Sequence, residues 1–178
     1  MLLGALSAAA AQLAACSAGP GPLGTGGDGG LQCSAGAQGR PITMGIYTLD
    51  NSGTAPVTVT SVTLSAALGL AMTKSWLVPI YHDPRNGNYV AIGVAADYPP
   101  IAKADTAINP EWRNRVPAAG ATIRPGQTLN LVFGLIRTTA KAGRSDGPLI
   151  SYTADRNSYT VQEQTGQEIR PGTCNSTP

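Results

Sequence analysis

Charge is scarce in this chain. Lys, Arg, Asp and Glu make up 12% of its 178 residues, about half the share usual in a soluble domain. The net charge is only +2, and the basic side chains never form a run. A nucleic-acid footprint needs clustered Lys and Arg to neutralise phosphates, so this composition argues against such a partner. Histidine is rarer still: His82 is alone, with Asp83 beside it. A hydrolytic triad needs a Ser or Cys poised against a histidine that a third group orients. The sequence has no G-x-S-x-G, and chain neighbours on a strand or turn usually point apart. No catalytic residue is therefore assigned. A zinc site with one histidine would need clustered cysteines or carboxylates, and neither is present. Met44, Met72 and His82 are the only soft-metal candidates, and they form no His-Met pair. "GTGGDGG" precedes no strand–helix unit that could cradle phosphate, and Asp-rich calcium loops are missing. Neither a metal nor a cofactor is expected.

What the chain does have begins at its N-terminus. No charged side chain occurs before Asp28, and Leu2, Leu3, Leu6 and Leu13 stand in a background of alanine. That apolar run has signal-peptide length and falls short of the about 20 residues a spanning helix needs. It ends in "LAAC", Leu13-Ala14-Ala15-Cys16, which resembles the lipobox of bacterial lipoproteins. The resemblance implies a diacylglycerol thioether on Cys16, cleavage after Ala15, and anchoring at the extracytoplasmic face of the cell membrane. Two acyl chains give stable attachment where one is marginal. One departure from that pattern is the lack of any Lys or Arg ahead of the apolar run. The alternative is an incidental cysteine in a plain signal peptide or buried helix. Residues 17–30 are nearly all Gly, Pro, Ser and Ala, a composition that buries too little apolar area to fold. Such a stretch spans about 20–25 Å and reads as a leash.

With Cys16 reserved for lipid, Cys33 and Cys174 remain. An even pair in an exported chain favours a disulfide, here joining the two ends of the domain. A metal site is the alternative, although the sequence offers no CxxC and no histidine pair. The organisation read from the sequence is thus a signal over residues 1–15, a lipidated cysteine and linker over 16–32, one domain over 33–174, and a disordered tail over 175–178.

Past Arg40 the dominant pattern is alternation, the mark of half-buried strands. Ile42, Met44 and Ile46 alternate with Thr43 and Gly45 before the turn "DNSGTAP". Val57 and Val59 share a parity that slips at Thr60-Ser61 and resumes at Val62 and Leu64, the signature of a β-bulge. Leu68, Leu70, Met72, Trp76 and Val78 continue on one parity. After "IRPGQ", where Pro125-Gly126 suits a type II turn, Leu129, Leu131, Phe133 and Leu135 form one face while Val132 and Ile136 make the other partly apolar. That predicts a central strand covered on both sides. Ile150, Tyr152 and Ala154 pair across "DRNS" with Tyr159 and Val161 as a hairpin. No later window makes an amphipathic helix, so the expected fold is an all-β sandwich. "NSGTAPVTVTSVTL" and "IRPGQTLNLVFGL" are similar to segments of the immunoglobulin-like accessory domains of secreted bacterial proteins. The likeness implies a single immunoglobulin-like β-sandwich and no activity. The inter-sheet cysteines of antibody domains are absent.

Residues 81–116 break the regular spacing and read as long loops with a short strand over 89–94. Aromatic and charged side chains collect there: Tyr81, His82, Tyr89, Tyr98, Trp112, Arg113 and Arg115. Exposed loops of this length often bind, which makes these residues the candidate binding surface. Core packing of Trp112 with a solvated remainder is the competing reading. The function expected is a non-catalytic binding or structural module at the membrane, meeting an envelope protein or polymer. The alternative is an accessory or solute-binding subunit of an envelope transporter or enzyme, which would need a concave pocket around Trp112, Tyr98 and Arg113.

Overall fold

The strand with apolar residues on both faces runs down the middle of the larger sheet in a computed structural model that describes residues 21–27, 29–100 and 110–174. In chain order the elements are β1 (Leu23–Gly26), β2 (Gly30–Ala35), β3 (Pro41–Asn51), β4 (Val57–Leu64), β5 (Leu70–Pro79), β6 (Tyr81–His82), β7 (Tyr89–Val90) and β8 (Gly93–Ala95). A 3-10 turn at Pro110–Asn114 leads to β9 (Val116–Pro117), β10 (Thr122–Ile123), β11 (Thr128–Arg137), β12 (Gly143–Ser145), β13 (Pro148–Ala154), β14 (Asn157–Gln162) and β15 (Thr165–Arg170). The larger sheet has the order β1-β3-β11-β5-β9, with β8 also on β3. A second sheet runs β10-β4-β13-β14, and a third runs β12-β15-β2. All pairings are antiparallel except β15 with β2. The protein is an all-β sandwich.

The core lies between the first two sheets. Tyr47, Leu49, Leu131, Phe133 and Leu135 from one side meet Val57, Val59, Ile150 and Tyr152 from the other. Phe133 stacks on Tyr47 with ring centroids 5.8 Å apart. On the opposite face of β11, Val132 is equally buried and joins Val78 and Trp112 in a smaller cluster. Both faces of β11 are covered, as its sequence indicates.

Local turn chemistry also behaves as expected. Gln127 N–H donates to the Arg124 carbonyl at 3.0 Å, and Gly126 between them takes φ +69°, a conformation that favours glycine. Asp155 and Arg156 adopt φ of 47° and 68°, the two left-handed residues of a tight hairpin, and Ile150 pairs with Val161 and Tyr152 with Tyr159. The bulge in β4 is real: Ser61 faces Ser151 and Val59 faces Tyr152, leaving Thr60 as the extra residue.

Asn51 explains why "NSG" stands where it does. Its side chain is fully buried. Its Nδ2 donates to the Ala55 and Ile123 carbonyls, each at 2.9 Å, and its Oδ1 accepts from Gly53 N–H at 3.0 Å. One amide thereby fastens the β3–β4 turn to β10. Asn51→Ala leaves these backbone groups without partners and is expected to cost about 2 kcal/mol in urea denaturation. An unchanged midpoint would show that the clamp carries no stability.

Four expectations need correction. The linker does not extend through residue 32, because β1 pairs with β3 from Leu23↔Asn51 to Gly26↔Thr48 and residues 30–32 begin β2. The physical reason is Leu23, the one large side chain in that Gly-rich segment between residues 17 and 30, which is buried in the core. In β3, Met44 faces Phe133 but Tyr47 faces Leu131, so a bulge at Gly45-Ile46 switches the inward parity to Tyr47, Leu49 and Asn51. In β5, Met72 faces Leu135 while Ser75 faces Phe133. That second bulge sends Trp76 and Val78 to the outer cluster, away from Leu70 on the core side, and Leu68 is exposed. The short strand over 89–94 is two pieces, β7 and β8. The signal, Cys16 and the tail at 175–178 lie outside the described residues.

Cys33 and Cys174 form a disulfide, with Cα atoms 5.8 Å apart. The parallel β2–β15 pair sets it up by placing Ala35 beside Arg170.

Candidate binding surface

The outer face of the larger sheet would be an apolar strip of Trp76, Val78 and Val132 if nothing covered it. Ile92, after β7, and Trp112, on the 3-10 turn, pack across it. Asn130, fully buried on β11, holds that cover down. Its Nδ2 donates to the Gly45 and Tyr47 carbonyls at 3.0 and 2.6 Å, and its Oδ1 accepts from Ile92 N–H at 2.9 Å. The Gly45-Ile46 bulge is thus bridged by a side chain from the neighbouring strand.

Two indoles organise the surface. Trp76 and Trp112 meet edge to face at 6.4 Å, the arrangement favoured by the ring quadrupoles. The Arg115 guanidinium lies 4.6 Å from the Trp112 ring and 5.2 Å from the Trp76 ring, and its Nη1 donates to the Trp112 carbonyl at 3.1 Å. Lys74 places its ammonium 5.2 Å over Trp76. All three contacts are cation–π pairs. Trp76 Nε1 donates to the Tyr98 hydroxyl oxygen at 2.7 Å, and that hydroxyl donates to the Lys74 carbonyl. Burial raises the Tyr98 pKa above its ordinary value, although bonds from its partners pull the other way.

Of the residues singled out in the sequence, Tyr98, Trp112 and Arg115 come together here. Trp112 is buried, as the core-packing reading has it. Arg113 is exposed on the 3-10 turn. Tyr81, His82 and Tyr89 belong to the β6–β7 hairpin. There the His82 and Tyr89 rings sit 4.5 Å apart, and Tyr89 is 70% exposed. An open groove beside it is lined by Pro79, Gln127 and Leu129. Trp76 and Lys74 complete the cluster but were not among the candidates. Alternation puts Trp76 on the core face of β5, and only the bulge at Thr73-Lys74 turns it outward.

Chemically the arrangement offers stacking faces and two cations, with no nucleophile set against a base. Among the described residues no three His, Cys, Asp or Glu side chains gather as metal ligands. Met44 is buried between the sheets, whereas His82 is on the exposed hairpin. Also among the described residues, no helix is long and apolar enough to cross a membrane.

Compared with known protein families and with characterised proteins, the chain matches none. Among solved structures it is similar to the ASH / PapD-like domain of human CEP192 (PapD-like domain 7), at 9% identity and a TM-score of 0.42, with 98% of this chain and 99% of that one covered.

Proposed function

We propose that the protein is a lipid-anchored extracytoplasmic module whose sandwich binds or scaffolds an envelope protein or polymer and carries out no chemistry. The pairing of the other two cysteines carries this reading. Cys33 and Cys174 are joined to each other, a state that persists in oxidising, exported compartments. Cys16 is then the one cysteine left over, in the position where a lipobox places its acylated thiol. The filled outer surface favours a binding module over a solute carrier. Trp112 is packed beneath Arg115, and the Tyr98 hydroxyl is engaged on both sides, so these side chains do not surround an open pocket.

The experiment is fractionation of expressing cells with mass spectrometry of the mature N-terminus. Wild type is expected in the membrane fraction, beginning at a diacylated Cys16. Cys16→Ala is expected to leave the membrane fraction, with its disulfide and denaturation midpoint unchanged. An unmodified thiol at position 16 in native material would overturn the anchor.

A further inference from the structure

Away from the aromatic surface, the third sheet covers a group of buried oxygen atoms without a well-aligned hydrogen-bond partner. They are both carboxylate oxygens of Glu163, Oε1 of Gln167 and Oγ of Ser145. Ser145 and Gln167 are direct cross-strand partners on β12 and β15, so their side chains share a face. Gln167 Nε2 donates to the Tyr47 hydroxyl, which donates to the Thr165 carbonyl at 3.1 Å. Glu163 is close enough for its charge to push the Tyr47 hydroxyl pKa upward, in the same direction as burial. Gly27, which follows β1, lies directly on this group. A Cβ there would stand 2.8 Å from Glu163 Oε2 and 3.0 Å from Thr165 Oγ1. Any larger residue there would push the Glu163 carboxylate out of its present position.

Among the described residues no Lys or Arg forms an ion pair with Glu163. Arg144 and Asp146 line an open cleft whose wall also includes Ser145 and Glu163. Arg144 and Arg170 pair instead with Glu168, at 4.0 and 3.0 Å. Tyr47 is the titratable group facing it from β3, and Cys33 on β2 is tied up in the disulfide.

These four oxygens present almost no surface to a water-sized sphere, and a proton is the smallest partner that would satisfy them. A single carboxylate is a thin ligand set for a bare cation, which takes six or more oxygens. A proton on Glu163 removes the buried charge and converts an acceptor into a donor among acceptors. We propose that Glu163 is a proton-operated latch: uncharged, it lets residues 21–27 dock along β3, and when ionised it releases them. Release would lengthen the leash without unfolding the sandwich, and the inference holds whether or not Cys16 carries lipid.

Burial lifts the Glu163 pKa from 4.5 to about 7, opposed by the Gln164 backbone N–H. Release exposes the carboxyl to water, which moves its pKa back toward the ordinary 4.5 and makes the full shift an upper limit. The docked state therefore holds the proton between those two limits while the released state has lost it. Docking is strongest below pH 4.5, weakens as pH rises to 7, and is flat above. Across that window the docking equilibrium is expected to fall by up to about 300-fold.

The test is hydrogen exchange with mass spectrometry on the full chain between pH 4.5 and 8, corrected for intrinsic rates. A β13 peptide reports global folding. Protection of residues 23–26 is expected to fall with rising pH. Glu163→Gln should keep it high and independent of pH. Gly27→Ala should lower it even at pH 5. Three results overturn the latch: protection at 23–26 that ignores pH while only core amides respond, a pH response that survives in Glu163→Gln, or added calcium or sodium restoring protection at pH 8, which would make a metal ion the occupant.

Discussion

Replacing Cys33 and Cys174 together by serine is expected to lower the unfolding free energy by about 5 kcal/mol, measured by urea denaturation of the two proteins side by side. The bridge spans a sequence separation of 141 residues. In the chain-entropy description it restricts the unfolded ensemble roughly as the logarithm of loop length, and a loop above 100 residues sits near the top of the usual range. The location adds to this. β2 is held by one neighbour, β15, through a parallel pair, a pattern slightly weaker per residue than antiparallel pairing. Residues 30–35 are largely exposed or half-buried, so little apolar burial would keep β2 in place once the crosslink is gone. Protease sensitivity should accordingly appear first near residues 30–36 in the serine variant. If reduction leaves the midpoint where it was, the unfolded chain already keeps its ends together, and the entropic account fails.

The second large effect lies at the centre. Phe133→Ala should destabilise by about 4 kcal/mol, whereas Val132→Ala, one residue away and equally buried, should cost about 2 kcal/mol. Phe133 sits between the two main sheets, stacked on Tyr47. Removing its ring leaves a cavity walled by strands on both sides that cannot move together without breaking register. Val132 instead supports the smaller outer cluster, where the cover carrying Ile92 and Trp112 can settle inward. Near-ultraviolet circular dichroism separates the two. Phe133→Ala should disturb the Tyr47 signal, and Val132→Ala the indole signals of Trp76 and Trp112. Equal costs with identical spectral changes would mean that the two faces of β11 belong to one cluster.

Much of this fold could be read residue by residue. The type II turn at Pro125-Gly126, the hairpin at Asp155-Arg156, the bulge at Thr60 and the two-sided burial of β11 all follow from neighbours within a few positions. The pairing of Cys33 with Cys174 was expected from their positions at the two ends of the domain. The candidate surface was legible in part: Tyr98, Trp112 and Arg115 meet, while Tyr81, His82 and Tyr89 form a separate hairpin.

What escaped has a common physical cause. Alternation reports a strand's two faces but not which of them points inward, and a bulge exchanges the faces without marking the sequence when both parities carry large side chains. Tyr47 and Leu49 after Ile42 and Met44, and Trp76 and Val78 after Leu70 and Met72, are such cases. Their phase is set by the partner strand β11. The recruitment of Leu23 into the core, the parallel seating of β2 on β15 and the burial of Glu163 under Gly27 are likewise contacts between distant segments. By itself the sequence indicated the central strands, their turns and a favoured crosslink, because those depend on local geometry and on how few cysteines there are. Which side chains face one another was decided by tertiary structure alone, because register is a property of two strands and neither carries it separately.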